Sequence, residues 1–540
     1  VKAEVAGPPL ATVEGLGPLT LGGFLEQVCA AHAEREALVF DDPLRDGATV
    51  RWTYGELLRE ARAVASSLIA SGVSPGDRVA VLMANRPEAV AAYFAAALSG
   101  AVLAPLSTFA TGPELAQLLE LAEPAIVLAQ TRMGRRSFVN DLESASCRVV
   151  FADTDWESFR HEGAAVSADE RDRVSSAVSP DDDGLIIFSS GTTAKPKGVV
   201  HVQRAPTLQF WVQRAIFGRT PHTRLWTALP MFWTAGMNTA MGATLAAGGC
   251  WVMQEGFDAG HALTLMAREK VTEPYTLPHQ ARALEEHPAW STTDLSSLRE
   301  VFGKSVFTRH PSVHGDPAWQ MPVGWGMSET CAFISAHRSD SGRETVRRSL
   351  GAILPGVQLK VVDPESGDVV DVGTEGELLV RGPMLMRGYL GKSPAECFDD
   401  EGWFHTGDVG HLDERGELHW TGRRTEMIRT GGAMVSPAEI EVQMRACPDV
   451  RLARVIGMPD ERLDQIAVMC VELTEGSTAK PESLQSFLRE RLASYKVPKR
   501  VLIFGAGEIP LTASGTKVRD EDLRLLTTAR LEQQQSEGPR

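Results

Sequence analysis

Ten consecutive residues, Ser189-Ser190-Gly191-Thr192-Thr193-Ala194-Lys195-Pro196-Lys197-Gly198, concentrate hydroxyls, glycines and two lysines. Hydroxyls and free backbone N–H groups can cradle phosphate oxygens, and lysine supplies positive charge. Glycine lets a backbone approach closely or take positive φ. The spacing is not Gly-x-x-x-x-Gly-Lys-Ser/Thr, so this is not the common P-loop. The competing reading is an ordinary polar surface loop, because Ser, Thr and Gly cluster in loops.

The elements around this loop alternate. Leu185-Ile186-Ile187-Phe188 leads in as a strand, and Val199-Val200-His201 leads out toward a helical segment. Residues 1–20 are rich in Gly and Pro and read as extended. Helices are expected over 21–35, from Trp52-Thr53-Tyr54 to about Gly72, and over 87–98. Strands are expected over 79–83, 101–106, 126–128 and 149–151. Such alternation argues for α/β architecture, with parallel or mixed sheets covered by helices. Residues 153–183 are polar and acidic and read as a loop with one short helix. Strands over 226–229, 356–362 and 378–381 follow, the last two in a more β-rich part.

A linker is expected near Arg423-Arg424-Thr425. Beyond it, Ser436-Pro437-Ala438-Glu439 reads as a helix start: Ser caps, Pro takes the first turn, and Glu sits three after the cap. Strands over 454–457 and 466–471 and a helix over 482–492 then suffice for a small α+β domain. The expected division is 1–423 and 424–540. Residues 533–540 read as disordered.

Bulk properties narrow the function. The chain has 540 residues, 43% hydrophobic and 23% charged, ample for more than one globular domain. A net charge of -16 argues against a nucleic-acid surface or an anionic membrane patch. Seven scattered cysteines with no C-x-x-C argue against structural disulfides and zinc, and fit a reducing cytoplasm. No charged start followed by an apolar core marks a signal peptide. The nearly uncharged run from Ala89 to Leu106 is interrupted by Ser99-Gly100 and Pro105, so it reads as a buried helix and a strand, not a membrane span.

The hydroxyl-rich loop resembles the phosphate-binding loop of the adenylate-forming superfamily, which includes acyl-CoA synthetases, luciferases and peptide-synthetase adenylation domains. Five further motifs follow in the family's order. They are Gly324-Trp325-Gly326-Met327-Ser328-Glu329; Gly376-Glu377-Leu378 with Gly382-Pro383; Gly402-Trp403-Phe404-His405-Thr406-Gly407-Asp408; Gly422-Arg423-Arg424; and Pro510-Leu511-Thr512-Ala513-Ser514-Gly515-Thr516-Lys517. The resemblance spans residues 20 to 525. It implies a large N-terminal domain of mixed sheets with a β-rich part, and a small mobile C-terminal domain. It implies an AMP-forming acid–thiol ligase that uses ATP, Mg²⁺ and CoA to turn a carboxylic acid into acyl-CoA through an acyl-adenylate.

By the same resemblance, Ser189, Ser190, Gly191, Thr192, Thr193 and Lys197 hold phosphates, with Thr192 counted as catalytic. Glu329 is the Mg²⁺ ligand, with Ser328 near the phosphate; otherwise it is a helix N-terminal charge. Asp408 and Arg423 reach the ribose, although Thr-Gly-Asp is also good turn chemistry. Trp325, with Gly326 and Met327, stacks on adenine or walls the acyl site. Phe232, Trp233, Gly236, Met237, Gly303 and Lys304 form the acyl pocket. Lys517 acts on the carboxylate oxygen and α-phosphate; otherwise it is a solvated lysine. Thr425 is the hinge, about which the small domain rotates so that Gly431 and Gly432 line the CoA tunnel.

Several positions depart from the family pattern: Ala194 for Gly, Trp233 for His, Val323 for a polar residue, Phe302-Gly303-Lys304-Ser305-Val306 for Gly-Gly-Ala-Pro, and an additional Thr516 before Lys517. Ala194, Lys304-Ser305 and Thr516 fall on the ATP half of the chemistry. The alternatives are therefore a ligase that only transfers a supplied acyl-adenylate to CoA, served by a separate adenylating enzyme, and a non-catalytic nucleotide- or acyl-binding relative. A homodimer is a further expected assembly. The identity of the acid is not legible.

Overall fold

Apolar runs too short for helices and bounded by turns become the strands of two central sheets. The computed structural model describes all residues except 144, 191–195, 304, 424–427, 436, 511–517, 519 and 537–540. One sheet has seven strands in the order Gly388–Tyr389, Pro196–Val202, Asp183–Ser190, Val102–Pro105, Arg78–Leu82, Ile126–Ala129 and Arg148–Phe151. The last five run parallel, and the first two add antiparallel at the edge. A second sheet of five strands is ordered Glu273–Pro274, Arg224–Thr227, Cys250–Met253, Glu36–Asp42, Ala48–Thr53.

The helix Pro87–Leu98 lies in the main core with all twelve residues buried. The run from Ala89 to Leu106 is thus a buried helix and strand, as its composition implies. Among the described residues no helix is long and apolar enough to cross a membrane. The helix Tyr54–Ala70 starts on a capping box: Glu56 N–H donates to Thr53 Oγ1 at 3.2 Å, and Thr53 N–H donates to Glu56 Oε2 at 2.8 Å.

The β-rich part is an antiparallel sheet of Glu4–Ala6, Gln358–Val362, Gly376–Arg381, Phe404–Leu412 and Leu418–Arg423. The first residues are therefore not merely extended but paired. From Ile428 on, a separate sheet forms from Ile428–Thr430, Ala433–Val435, Val450–Asp460, Asp464–Leu473 and Arg500–Phe504. The helices Pro437–Arg445 and Pro481–Arg489 pack on it around their own core of Ile440, Met444, Leu484 and Leu488. The cap expected at Ser436 lies outside the described residues.

Two sequence expectations are corrected. Residues 153–183 hold two α-helices, Trp156–Glu162 and Ala168–Ala177, with a 3₁₀ turn at Gly163–Ala165 between them, rather than one helix. Trp156 and Phe159 anchor the first, and Ser167 caps the second by accepting from Glu170 N–H. Of the tail expected to be disordered, residues 533–536 belong to the helix Asp520–Ser536, and 537–540 lie outside the described residues. Leu523 is fully buried, and Arg524 Nη1 donates to Gly457 O at 2.6 Å, so tertiary contacts reinforce good helix formers. All seven cysteines are free, and Cys29, Cys250, Cys331, Cys447 and Cys470 are buried.

Candidate active site

The strands Asp183–Ser190 and Pro196–Val202 pair with Ser189 opposite Lys197 and Ser190 opposite Pro196. Residues 191–195, which include Gly191, Thr192 and Thr193, join these strands and lie outside the described residues. Lys197 Nζ sits 5.1 Å from the centroid of the Tyr389 ring. Tyr389 comes from the edge strand, with Val199 as its register partner. Its hydroxyl donates to Glu329 Oε1 at 2.8 Å. A charged acceptor makes this the stronger kind of hydrogen bond. Lys197, Tyr389 and Glu329 therefore form one connected cluster beside the loop.

Glu329 belongs to the short 3₁₀ turn Ser328–Thr330. Its carbonyl accepts from Met386 N–H at 2.7 Å, and the Ser328 carbonyl lies 2.7 Å from His201 Nε2. Burial lowers the His201 pKa to about 4, so its ring is neutral at pH 7. Only the Nε2–H tautomer can donate to the carbonyl, which fixes the ring. The turn carrying Ser328 and Glu329 is thus tied to the strand that follows the loop.

Gly326 has a steric reason to be glycine. A Cβ there would stand 1.8 Å from Ala332 O. On the adjoining residue, Trp325 Nε1–H donates to Asp408 Oδ2 at 2.8 Å, with Trp325 6% and Asp408 2% exposed. The indole is a core side chain whose polar edge serves Asp408, a role that its position in the sequence did not suggest. Asp408 N–H in turn donates to Thr406 Oγ1 at 3.0 Å, and Arg423 is the register partner of Asp408. The structure brings these two sequence-singled residues together on neighbouring strands.

On the opposite side, Phe232 and Trp233 are half-buried and meet Phe109. Phe109 lies 5.3 Å from Phe232 and 5.9 Å from Trp233, both nearly edge-on. Trp233 O accepts from Met237 N–H at 2.9 Å, starting the π-helical turn Ala235–Gly242. Gly236 and Met237 are buried in that turn. Gly303 is exposed, and a Cβ on it would approach only Arg343 Nη1, at 3.9 Å. Lys304 lies outside the described residues. Ser305 caps the 3₁₀ turn Val306–Arg309, which gives this departure a local structural role.

Among the described residues, the small domain meets the large one at two places that bear on this site. Gly431 and Gly432 have φ of +56° and +86°. A Cβ on Gly432 would stand 2.9 Å from Leu277 Cδ2, and one on Gly431 would stand 3.7 Å from His279 Nδ1. Both neighbours belong to the large domain. The second meeting place sets Tyr495 against Phe109, with ring centroids 6.2 Å apart. Lys517 and Thr425 lie outside the described residues.

Sequence reasoning missed Tyr389, His201, Phe109 and Tyr495. Tyr389 carried a usable signal: it is one of only five tyrosines and sits between glycines at 388 and 391. Phe109 and Tyr495 carried none, because their meeting depends on how two distant segments pack.

Residues 25–390 match the family described as AMP-binding enzyme, and residues 439–516 match the AMP-binding enzyme C-terminal domain. An indoleacetate–CoA ligase from Aromatoleum aromaticum is 33% identical over 489 residues, covering 88% of this chain and 93% of the relative. A feruloyl-CoA synthase from an Amycolatopsis species is 32% identical over 485 residues, covering 88% and 94%. Among solved structures, the amide bond synthetase McbA from Marinactinospora thermotolerans superposes with a TM-score of 0.75 at 28% identity, covering 93% of this chain and 99% of that one.

Proposed function

Since the chain belongs to the AMP-binding enzyme family, in the acyl-CoA synthetase branch of the adenylate-forming superfamily, we propose a division of labour for its residues. The reaction is that of an AMP-forming acid–thiol ligase: a carboxylic acid and ATP give acyl-adenylate and pyrophosphate, and CoA then displaces AMP. The observation that carries the adenylation half is the cluster of Glu329, Tyr389 and Lys197 beside the hydroxyl-rich loop.

In this reading, the loop's Ser189, Ser190, Thr192 and Thr193 and the Lys197 ammonium bind phosphate oxygens. Glu329 would hold Mg²⁺, oriented by the Tyr389 hydroxyl, since Mg²⁺ is commonly bound through one or two carboxylates together with substrate phosphates. That ion would neutralise charge developing on the phosphates. Asp408 accepts from the ribose hydroxyls, and Trp325 holds its carboxylate in place. Lys517, on the small domain that begins at 424, stabilises charge at the α-phosphorus. Rotation about Thr425 then exchanges it for Gly431-Gly432, whose bare backbone leaves room for pantetheine.

For the acid, we infer an aryl-substituted carboxylate. Indoleacetate and ferulate both carry an aromatic ring, and Phe109, Phe232 and Trp233 offer aromatic edges where the acyl group is expected. The reducing cytoplasm remains the proposed compartment and a homodimer the proposed assembly.

The test measures CoA-thioester formation from acid, ATP and CoA across indoleacetate, ferulate, 4-coumarate and octanoate, beside transfer from synthetic feruloyl-adenylate. We expect the aryl acids to exceed octanoate by at least about tenfold, the scale of pocket discrimination. Comparable rates from acid plus ATP and from the adenylate are also expected. Thioester from the adenylate alone would establish the transfer-only ligase with a separate adenylating enzyme. No thioester by either route would leave a binding relative.

A further inference from the structure

Lys496, in the small domain, is shared between the two domains. Its ammonium lies 2.7 Å from Glu439 Oε1 of its own domain and 3.3 Å from Glu114 Oε1 of the large one. The three side chains are 12%, 10% and 11% exposed, so water screens them little. Glu114 is itself fixed, because its other oxygen accepts from Thr111 N–H at 2.8 Å and Thr111 Oγ1–H at 3.1 Å at the start of the helix Gly112–Ala122. Thr111 Oγ1 also lies 3.3 Å from the Arg491 carbonyl of the small domain. Tyr495 packs on Phe109, and Phe109 packs on Phe232 and Trp233. Residues 491–496 therefore dock on residues 109–114.

We propose that Lys496 and Glu114 are positioning residues for the CoA-transfer half-reaction, holding the small domain where Gly431-Gly432 lies against Leu277 and His279. The proposal rests on reading the protein as a two-step ligase. The contact has the chemistry of a reversible latch. Lys496 keeps Glu439 whichever way the small domain turns, so releasing Glu114 strands no lysine in the interior. A nearly buried ion pair also specifies orientation more than it adds net attraction, because wrong orientations leave a charge unpaired. A second interdomain ion pair among the described residues, Arg462 with Glu286 at 3.9 Å, is more than half exposed at both ends and contributes little. Phe109 places the docked segment one ring away from the expected acyl site, so the latch abuts the group being transferred.

Glu114→Gln tests this cleanly. Glutamine keeps an oxygen for the Thr111 cap but removes the charge facing Lys496. We expect CoA transfer from synthetic feruloyl-adenylate to fall by about 5- to 50-fold, the range of a typical coupling between states. Pyrophosphate release from ferulate and ATP without CoA should be unchanged or faster. Lys496→Met in the Glu114→Gln background should add less than it does alone, while Arg462→Ala should leave both rates unchanged. Equal losses in both half-reactions, or an unchanged transfer rate, would overturn the proposal.

A readout independent of turnover keeps it separable from the function itself. Spin labels on Gln117→Cys and Ser494→Cys, both exposed sites, in a Cys147→Ser, Cys397→Ser background report the docking distance. Glu114→Gln should shift that distribution to longer and broader distances. An unshifted distribution overturns the latch. Absence of any CoA transfer in the parent chain, with the shift intact, would instead overturn the ligase reading.

Discussion

The nucleotide side and the CoA side of this site are built differently. On the proposed nucleotide side, Glu329, Tyr389, Lys197, Trp325 and Asp408 all sit on or beside paired strands of one domain, and the Tyr389–Glu329 and Trp325–Asp408 hydrogen bonds both form within that domain. On the proposed CoA side, Gly431-Gly432 meet Leu277, Tyr495 meets Phe109 and Lys496 meets Glu114 across two domains. Apart from Lys517, which the small domain would bring to it, the first is pre-organised, so those contacts need no assembly. The second stands in the one domain orientation of this structure and, under the proposed rotation, would dissolve in another. Substitutions on the two sides should therefore separate the half-reactions.

The largest effect is expected from Lys517→Ala. Removing the cation at the reacting phosphorus should slow adenylation by about 10²-fold or more while sparing CoA transfer from supplied adenylate. Pyrophosphate release and thioester formation, measured on the same preparation, check this. Equal losses would mean that the lysine serves both sides and that the contrast is misdrawn.

Gly432→Leu should do the reverse. Its Cβ would crowd Leu277 Cδ2 at 2.9 Å, and φ of +86° disfavours any side chain there. Transfer from adenylate should drop by about 10²-fold, the scale of a 1 Å misplacement at a reacting site, with adenylation retained. Gly431→Leu should behave alike but less severely, because its nearest large-domain atom is His279 Nδ1 at 3.7 Å. An unchanged transfer rate in both variants would remove the glycine pair from the CoA side.

The smallest effect is expected from Trp325→Phe, which keeps a ring in the core but deletes the donor to Asp408. One hydrogen bond to a charged group contributes about 1.5–3 kcal/mol; because the indole only positions Asp408, the lower end applies, and kcat/KM for ATP should fall by about tenfold. The loss should shrink with 2′-deoxy-ATP, which asks less of Asp408. A loss of equal size with both nucleotides would place the indole's role elsewhere.

The same contrast governs what was legible in the sequence. The hydroxyl-rich loop, Glu329 and Asp408 stand in motifs whose residues are neighbours along the chain, so spacing revealed them. The helix Pro87–Leu98 was legible because an uncharged run broken by Gly and Pro has few other solutions. Tyr389 and Phe109 were not, because each acquires its meaning from a strand or domain far away in sequence. Trp325 was legible as a broad ring but not as a donor, since indole N–H direction follows from sheet register. The second helix in 153–183 was missed because its polar surface has no apolar stripe to reveal a period.

The buried cysteines carry one more consequence. Burial pushes the thiols of Cys29, Cys250 and Cys331 up to about 12 and that of Cys470 to about 11. Only the thiolate attacks an acyl group or a disulfide. At neutral pH the first three are ionised in about one molecule per 10⁵. A catalyst that generates activated acyl groups beside a free thiol substrate must not become its own acceptor. These four core thiols are kept nearly inert by the apolar surroundings that also pack the core, which favours the diffusible thiol over them as the acyl acceptor.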